Sequence, residues 1–163
     1  MGGDRTLNLF NIPTHAKSPR IVNAVIEIEK GSSVKYEYDE NLCAFRYDRS
    51  LDSAMVYPAN YGSIPGTLCD DGDPLDILVI TQRPIDKGTV VESKVLGVLD
   101  MDDDGEKDYK VLAVPISTIR RFRNLNDVEH VSSAIPFGPG FGHLTLGYFD
   151  APRTVGIDMH YKF

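Results

Sequence analysis

Residues 70–80 read Asp70-Asp71-Gly72-Asp73-Pro74-Leu75-Asp76-Ile77-Leu78-Val79-Ile80, an acidic turn that leads directly into an apolar run. The run that begins at Ile77 has the length and composition of a buried strand. The aspartates of the turn repel one another, so a folded protein holds them together only where cations or hydrogen-bond donors compensate. Gly72 permits a tight turn and Pro74 fixes φ, which makes the turn stiff. Such a turn suits Mg²⁺, which prefers oxygen ligands. A solvated acidic turn is the alternative.

The length and composition predict one soluble globular domain, residues 1–163. Its 42% hydrophobic and 25% charged residues are ordinary for a chain with a single core. No apolar run is long enough to cross a bilayer, and the first five residues lack the layout of a secretory signal, so we expect a cytoplasmic protein. The net charge of −7 argues against nucleic-acid binding but not against an anionic substrate, because bound divalent metals invert the local field.

The hydrophobic pattern predicts a chain made mainly of strands. Strands are expected at 25–29, 34–38, 42–47, 55–62, 76–81, 90–101 and 111–116. The only helix expected is a short one at 117–122, with Ser117 as its N-cap. Five or more strands with so little helix predict a small barrel with appended helical elements. Residues 131–163 are rich in glycine and proline without a clear period, which predicts an atypical tail, either disordered or packed by its aromatic and leucine side chains.

A second acidic segment runs from Asp100 to Asp108, with six acids in nine positions. Its start imitates an EF-hand loop, but Val111 stands where the bidentate glutamate should be, and the flanking segments predict strands instead of helices. What remains is the pair Asp103 and Asp108, which has the same five-residue offset as Asp71 and Asp76. Two acidic segments at the ends of core strands could therefore meet at one metal cluster.

Six segments together carry a recognisable family pattern: Val25-Ile26-Glu27-Ile28, Val34-Lys35-Tyr36-Glu37, Asp48-Arg49, Tyr57-Pro58-Ala59-Asn60-Tyr61-Gly62, Asp71-Gly72-Asp73-Pro74-Leu75-Asp76, and 103–110. In order and spacing they make the chain similar to the soluble family I inorganic pyrophosphatases over roughly residues 20–130. The Asp-Gly-Asp-Pro-x-Asp string at 71–76 is the most specific of them. The resemblance does not extend through the tail.

The resemblance implies an α+β, mainly β fold: a five-stranded OB-like β-barrel with few peripheral helices. It also implies Mg²⁺-dependent hydrolysis of inorganic pyrophosphate to two orthophosphates. The family's metal ligands fall on four aspartates, of which the second bridges two ions: Asp71, Asp76, Asp103 and Asp108. Its catalytic groups, the first of which takes the proton of the attacking water, fall on Asp73, Glu37 and Lys110. Its substrate-binding groups fall on Lys35, Arg49 and Tyr61, and Glu27 falls on a further acidic position near the metals.

Residue chemistry is consistent with these assignments. Hydrolysis of pyrophosphate requires positioning and charge stabilisation more than covalent chemistry. Metal ions can activate a water, a carboxylate can accept its proton, and lysine or arginine can neutralise the departing phosphate. Taken singly, each residue has an ordinary alternative: Lys35 and Glu37 could form an exposed strand pair, and Tyr61 could be part of the core.

Three functional hypotheses follow. The first is an active inorganic diphosphatase. The second is a pyrophosphatase-like domain made non-catalytic by its altered tail and serving as a binding module. The third, an acidic OB-like nucleic-acid binder, is disfavoured by the negative net charge. We expect inorganic pyrophosphate as the partner, with neither nucleic acid nor membrane. A homo-oligomer is left open, as is a contact of Tyr161 and Lys162 with substrate.

Overall fold

The computed structural model describes residues 8–51, 54–69, 72–103, 106–119, 144–146 and 155–157. These ranges hold a 3₁₀ turn at Leu9–Asn11, the short helix α1 at Ile116–Ile119, and the strands β1 (Ile21–Ile28), β2 (Val34–Asp39), β3 (Ala44–Ser50), β4 (Asn60–Ile64), β5 (Leu75–Val79), β6 (Val90–Asp103), β7 (Glu106–Pro115), β8 (Leu144–Leu146) and β9 (Val155–Ile157). None of the helical segments in these ranges is long and apolar enough to cross a membrane.

Five strands close into a barrel in the order β1-β4-β5-β7-β6, and β6 pairs back onto β1. The β5–β7 pair is parallel, and the other pairs are antiparallel. Closure leaves no exposed sheet edge among these strands. Aliphatic side chains from all five strands are fully or almost fully buried, among them Ile26, Ile64, Ile77, Leu99 and Leu112. The predicted mainly β, five-stranded barrel is confirmed.

The contact between β1 and β4 depends on a bulge and a glycine. Ile26 pairs with Gly62 and Ile28 with Tyr61, so Glu27 is an extra residue in β1. A Cβ atom on Gly62 would lie 1.8 Å from the carbonyl oxygen of Val25. Only glycine fits there, which explains the residue that follows Tyr61.

The strands β2 and β3 form a separate two-stranded sheet, the β2–β3 hairpin. Its register shifts where Lys35 pairs with Arg49 and Tyr36 pairs with Tyr47, so that Asp48 is an extra residue in β3. Because a bulge re-aims the side chains beside it, Asp48 and Arg49 both reach the side of the hairpin that carries Lys35.

Three details differ from the sequence prediction. No strand begins at residue 55; β4 begins at Asn60, because the backbone of Tyr57 instead exchanges hydrogen bonds with the β1–β2 turn, at Gly31 (2.8 Å) and Ser32 (2.9 Å). The helix α1 begins at Ile116, so Ser117 lies inside it and is not its N-cap. The second acidic segment is the end of a long hairpin, since β6 continues to Asp103 and β7 begins at Glu106.

The predicted tail lies mostly outside the described residues. Of positions 131–163, the two short strands β8 and β9 are described, and they pair with each other in antiparallel fashion. Tyr161 and Lys162 are not among the described residues. The choice between a disordered and a packed tail therefore stays a prediction.

Candidate active site

The centre of the candidate site is Lys110, which lies on β7 beside Asp76 of the parallel strand β5. Its Nζ donates to Asp76 Oδ2 at 2.8 Å and to Asp108 Oδ1 at 3.0 Å. The lysine side chain is 14% exposed and the two carboxylates are about 30% exposed. Burial lowers the pKa of Lys110, but the charges and hydrogen bonds of Asp76 and Asp108 outweigh it, so the net shift is upward. The ammonium thus stays charged between two acids.

Tyr61 covers the inner side of this cluster. The Lys110 ammonium lies 5.2 Å from the centroid of the Tyr61 ring, and the Tyr61 phenol lies within electrostatic reach of the Asp76 carboxylate. Burial, reinforced by the charge of Asp76, raises the pKa of Tyr61 far above its usual range. The phenol of Tyr61 therefore keeps its proton and is neutral.

Glu27, the bulge residue of β1, adds a third acid beside Asp76. Its Oε1 accepts a hydrogen bond from Ser63 Oγ at 2.5 Å. Burial, together with the charges of Asp76 and Glu37, raises the pKa of Glu27 to about 7 despite that hydrogen bond. Near neutral pH this carboxyl group is poised between its two protonation states.

The β2–β3 hairpin supplies a second group of charges. Lys35 Nζ lies 2.7 Å from Glu37 Oε1 and 3.4 Å from Asp48 Oδ2, and Arg49 Nη1 lies 2.9 Å from the same Asp48 oxygen. Burial lowers the pKa of Lys35, but its contacts with Glu37 and Asp48 raise it by more. Asp48 thereby holds the two cations predicted to bind phosphate at one place.

The two groups of charges face a common region. The phenol of Tyr57 is within electrostatic reach of Lys35, Arg49, Lys110 and Asp76. Burial raises the pKa of Tyr57 although the three cations lower it, and its ring packs 5.5 Å from that of Tyr61. Charged groups of the hairpin and of the barrel therefore both act on the phenol of Tyr57.

Asp73 lies on the turn that precedes β5. The turn is held by its backbone: Cys69 N donates to Asp73 O at 2.7 Å, and Gly72 N donates to Cys69 O at 3.1 Å. Gly72 has φ of 93°, which favours glycine. A cleft of about 680 Å³ separates this turn from the hairpin, and its lining includes Asp73, Glu37 and Asp48. The exposed Asp73 and the hairpin charges thus share one solvent-accessible space.

The remaining predicted ligands are described less fully. Asp71 lies outside the described residues, and Asp103 is described only by its backbone, which ends β6 opposite Glu106. Among the side chains that the structure does describe, no group of three or more His, Cys, Asp or Glu is arranged to hold a metal. Two of the predicted ligands, Asp76 and Asp108, nevertheless converge on a single cation, the Lys110 ammonium. Hard carboxylate oxygens that already share one positive charge are a donor set that suits Mg²⁺.

Sequence reasoning assigned no role to Asp48, Tyr57 and Asn60, although all three lie in the segments that carry the family pattern. Asp48 joins Lys35 to Arg49 by ion pairs, and the phenol of Tyr57 lies near the charged groups.

Asn60 is fully buried, and both ends of its side-chain amide are hydrogen-bonded. Its Oδ1 accepts from Lys30 N (3.1 Å) and Ile85 N (2.7 Å), and its Nδ2 donates to Val79 O (3.1 Å) and Thr81 Oγ1 (2.7 Å). In the sequence, Asn60 is marked only by its position between Pro58-Ala59 and the aromatic residue Tyr61.

Comparison with known proteins gives the family. The family model for inorganic pyrophosphatase matches residues 24–136. The chain belongs to the inorganic pyrophosphatase family. The family match ends at residue 136, close to the limit of the resemblance predicted from the motifs.

Individual pyrophosphatases are similar over the same region. The inorganic pyrophosphatase of Aeropyrum pernix is 47% identical over 120 residues, 73% of this chain and 68% of that protein. That of Campylobacter jejuni is 51% identical over 117 residues, 71% of this chain and 68% of that protein. The crystal structure of the Thermus thermophilus inorganic pyrophosphatase superposes with a TM-score of 0.71 at 43% identity, covering 77% of this chain and 74% of that one. The barrel and the charged site therefore lie in the part shared with pyrophosphatases.

Proposed function

We propose that this chain hydrolyses inorganic pyrophosphate to two orthophosphates and that Mg²⁺ is its metal. The observation that carries the proposal is the Lys110 ammonium, held between Asp76 and Asp108 at 2.8 and 2.9 Å, with Tyr61 beside it. A structural ion pair would not need two acids, a neutral buried phenol and a nearby pair of cations in one place. A site for a polyanion bound together with a divalent cation needs all of them.

The metal would be held by carboxylates of the two acidic segments. Asp76 and Asp108 are the described members of that set, and we propose Asp71 and Asp103 as the others. Bound Mg²⁺ would supply positive charge for the substrate oxygens and lower the pKa of the attacking water. In the metal-free chain the Lys110 ammonium keeps Asp76 and Asp108 from repelling each other.

The side chains of the site divide the remaining work. Lys35 and Arg49, brought together by Asp48, would bind the phosphate groups and neutralise the charge that grows on the leaving phosphate. Tyr61, neutral because of its burial, would donate a hydrogen bond. Asp73, exposed on its backbone-tied turn, would accept the proton of the attacking water at its carboxylate. Glu37 sits beside Lys35 at 2.7 Å and would keep that ammonium oriented until substrate arrives.

We propose that residues 1–163 act as one domain in the cytoplasm, with neither nucleic acid nor membrane as a partner. A net charge of −7 agrees with a small anionic substrate that reaches the site together with its metal.

The test is release of phosphate from pyrophosphate by the full chain, measured with Mg²⁺ and with excess chelator. We expect turnover with Mg²⁺, none with chelator, and a nearly unchanged far-ultraviolet circular dichroism spectrum, because the metal serves chemistry more than folding. Asp108→Asn should lower activity at limiting Mg²⁺, and Asp86→Asn, at an exposed aspartate of the β5–β6 connection, is the matched control. Full activity in chelator would refute the proposal, and an inactive but folded and metal-loaded chain would favour the non-catalytic binding module.

A further inference from the structure

The β2–β3 hairpin carries Lys35, Glu37 and Arg49, and it forms a sheet separate from the barrel that carries Asp76 and Lys110. Each group is ordered within itself by short ion pairs. Their relative placement depends instead on the contacts between hairpin and barrel. Any residue that fixes this placement would affect how well both phosphates of a substrate are held at once.

Lys87 makes such a contact. It lies in the turn between β5 and β6, and its Nζ lies 3.2 Å from the centroid of the Tyr36 ring on β2. The ring of Phe45 on β3 is 5.8 Å from the same ammonium. A cation over the face of an aromatic ring is attracted by the ring quadrupole, and partial burial strengthens the attraction. Lys87 is half-buried.

The turn that carries Lys87 is fixed to the barrel. Gly88 N donates to Ile26 O at 2.7 Å, and Ile26 N donates to Thr89 O at 3.0 Å. Lys87 N itself donates to Glu29 Oε1 at 3.3 Å. The backbone N–H and C=O of Ile26, the residue before Glu27, thus both bond the turn to β1. The lysine therefore joins the barrel wall to the hairpin.

The geometry of a strand transmits this contact to the substrate side. Successive side chains of β2 point to opposite faces, so Tyr36 lies on the face opposite Lys35 and Glu37. Fixing the Tyr36 ring from one side fixes the backbone that presents Lys35 on the other. The position of Arg49 is fixed in the same way, because Arg49 pairs with Lys35 across the hairpin.

We infer that Lys87 is a positioning residue that sets the distance between the phosphate-binding cations of the hairpin and the Lys110 cluster of the barrel. The inference rests on the proposed pyrophosphatase activity. Without the contact, the hairpin samples positions that do not bind substrate. If only a fraction of the molecules holds the hairpin in the binding position, the Michaelis constant rises by the inverse of that fraction. Saturating substrate returns the hairpin to the binding position, so kcat changes little.

The experiment measures kcat and the Michaelis constant for pyrophosphate in Lys87→Met, which keeps the length of the side chain and removes its charge. We expect the Michaelis constant to rise about 2- to 30-fold, the range that cation–π contacts support, with kcat within about twofold. Lys87→Arg keeps the cation and should restore the wild-type value. Lys17→Met, at an exposed lysine of the turn before β1, makes the same change of net charge and should leave both constants unchanged.

A second pair of variants protects the test against a folding defect. Tyr36→Leu removes the ring and should reproduce the effect of Lys87→Met, whereas Tyr36→Phe keeps the ring and should not. The Lys87→Met/Tyr36→Leu double variant should be no worse than either single variant, because both remove one contact. An unchanged Michaelis constant in both single variants of an active enzyme overturns the inference alone. A wild-type chain that releases no phosphate overturns the proposed function and this inference together.

Discussion

Glu27→Gln should stabilise the metal-free protein at alkaline pH. Glu27 is an extra residue in β1 with a half-buried carboxyl group whose pKa is raised from 4.5 to about 7, chiefly by burial. A rise in the pKa of Glu27 from 4.5 to about 7 corresponds to about 3 kcal/mol of free energy. Glutamine keeps an oxygen that can accept the Ser63 hydrogen bond and removes the charge that burial penalises.

The sign of the pH dependence follows from proton binding. Between pH 4.5 and about 7 the folded state holds a proton on Glu27 that the unfolded chain has already released. Stability of the wild type therefore falls as pH rises through this window and is level outside it, as far as this group is concerned. Glutamine does not titrate, so the advantage of the variant should grow from near zero at pH 4.5 to about 3 kcal/mol at pH 8.5.

Urea unfolding in the presence of chelator, repeated at intervals from pH 4.5 to 8.5, measures this advantage. Glu40→Gln, at an exposed glutamate of the β2–β3 turn, controls for the loss of one negative charge from the chain. A difference between Glu27→Gln and wild type that stays constant across the pH range would refute the assigned protonation behaviour of Glu27.

Four further changes test other parts of the structure. Gly62→Ala should lower the free energy of unfolding by at least about 3 kcal/mol, because its Cβ would meet the Val25 carbonyl oxygen; a melting temperature within a few degrees of wild type would contradict this. Asn60→Ala should cost about 3–5 kcal/mol in urea unfolding, since it leaves two backbone N–H groups without their acceptor. Lys110→Met should lower turnover about 100-fold while calorimetry shows no loss of Mg²⁺ affinity, because it removes a cation from between Asp76 and Asp108. Removal of residues 158–163 should change the melting temperature and the Michaelis constant little, and a large rise in the Michaelis constant with the fold intact would show that Tyr161 or Lys162 reaches the site.

The barrel was predictable because its strands carry their own patterns. The alternation from Val25 and the apolar runs after Asp76 and from Val90 mark β1, β5 and β6 wherever they lie in the fold. The start of β4 was not predictable in this way. There the backbone of Tyr57 is hydrogen-bonded to the β1–β2 turn. This contact is distant in sequence, so the hydrophobic pattern of residues 55–62 does not reveal it.

The composition of the site was easier to predict than its arrangement. Acidic density pointed to Asp73, Asp76 and Asp108 directly. The placement of Lys110 between two acids depends on the parallel register of β5 against β7, which joins residues 34 positions apart. The sequence pattern also did not predict the bulge in β3, which brings Asp48 and Arg49 close to Lys35.

The Mg²⁺ dependence of phosphate release by Asp76→Asn and Asp73→Asn separates metal binding from proton transfer. The proposed site makes Asp76 a holder of the metal and Asp73 the proton acceptor. We therefore expect excess Mg²⁺ to recover part of the activity of Asp76→Asn. Asp73→Asn should stay about 10²–10⁴-fold slow at saturating Mg²⁺, the usual contribution of a general base. Full rescue of Asp73→Asn by Mg²⁺ would show that Asp73 is not the proton acceptor.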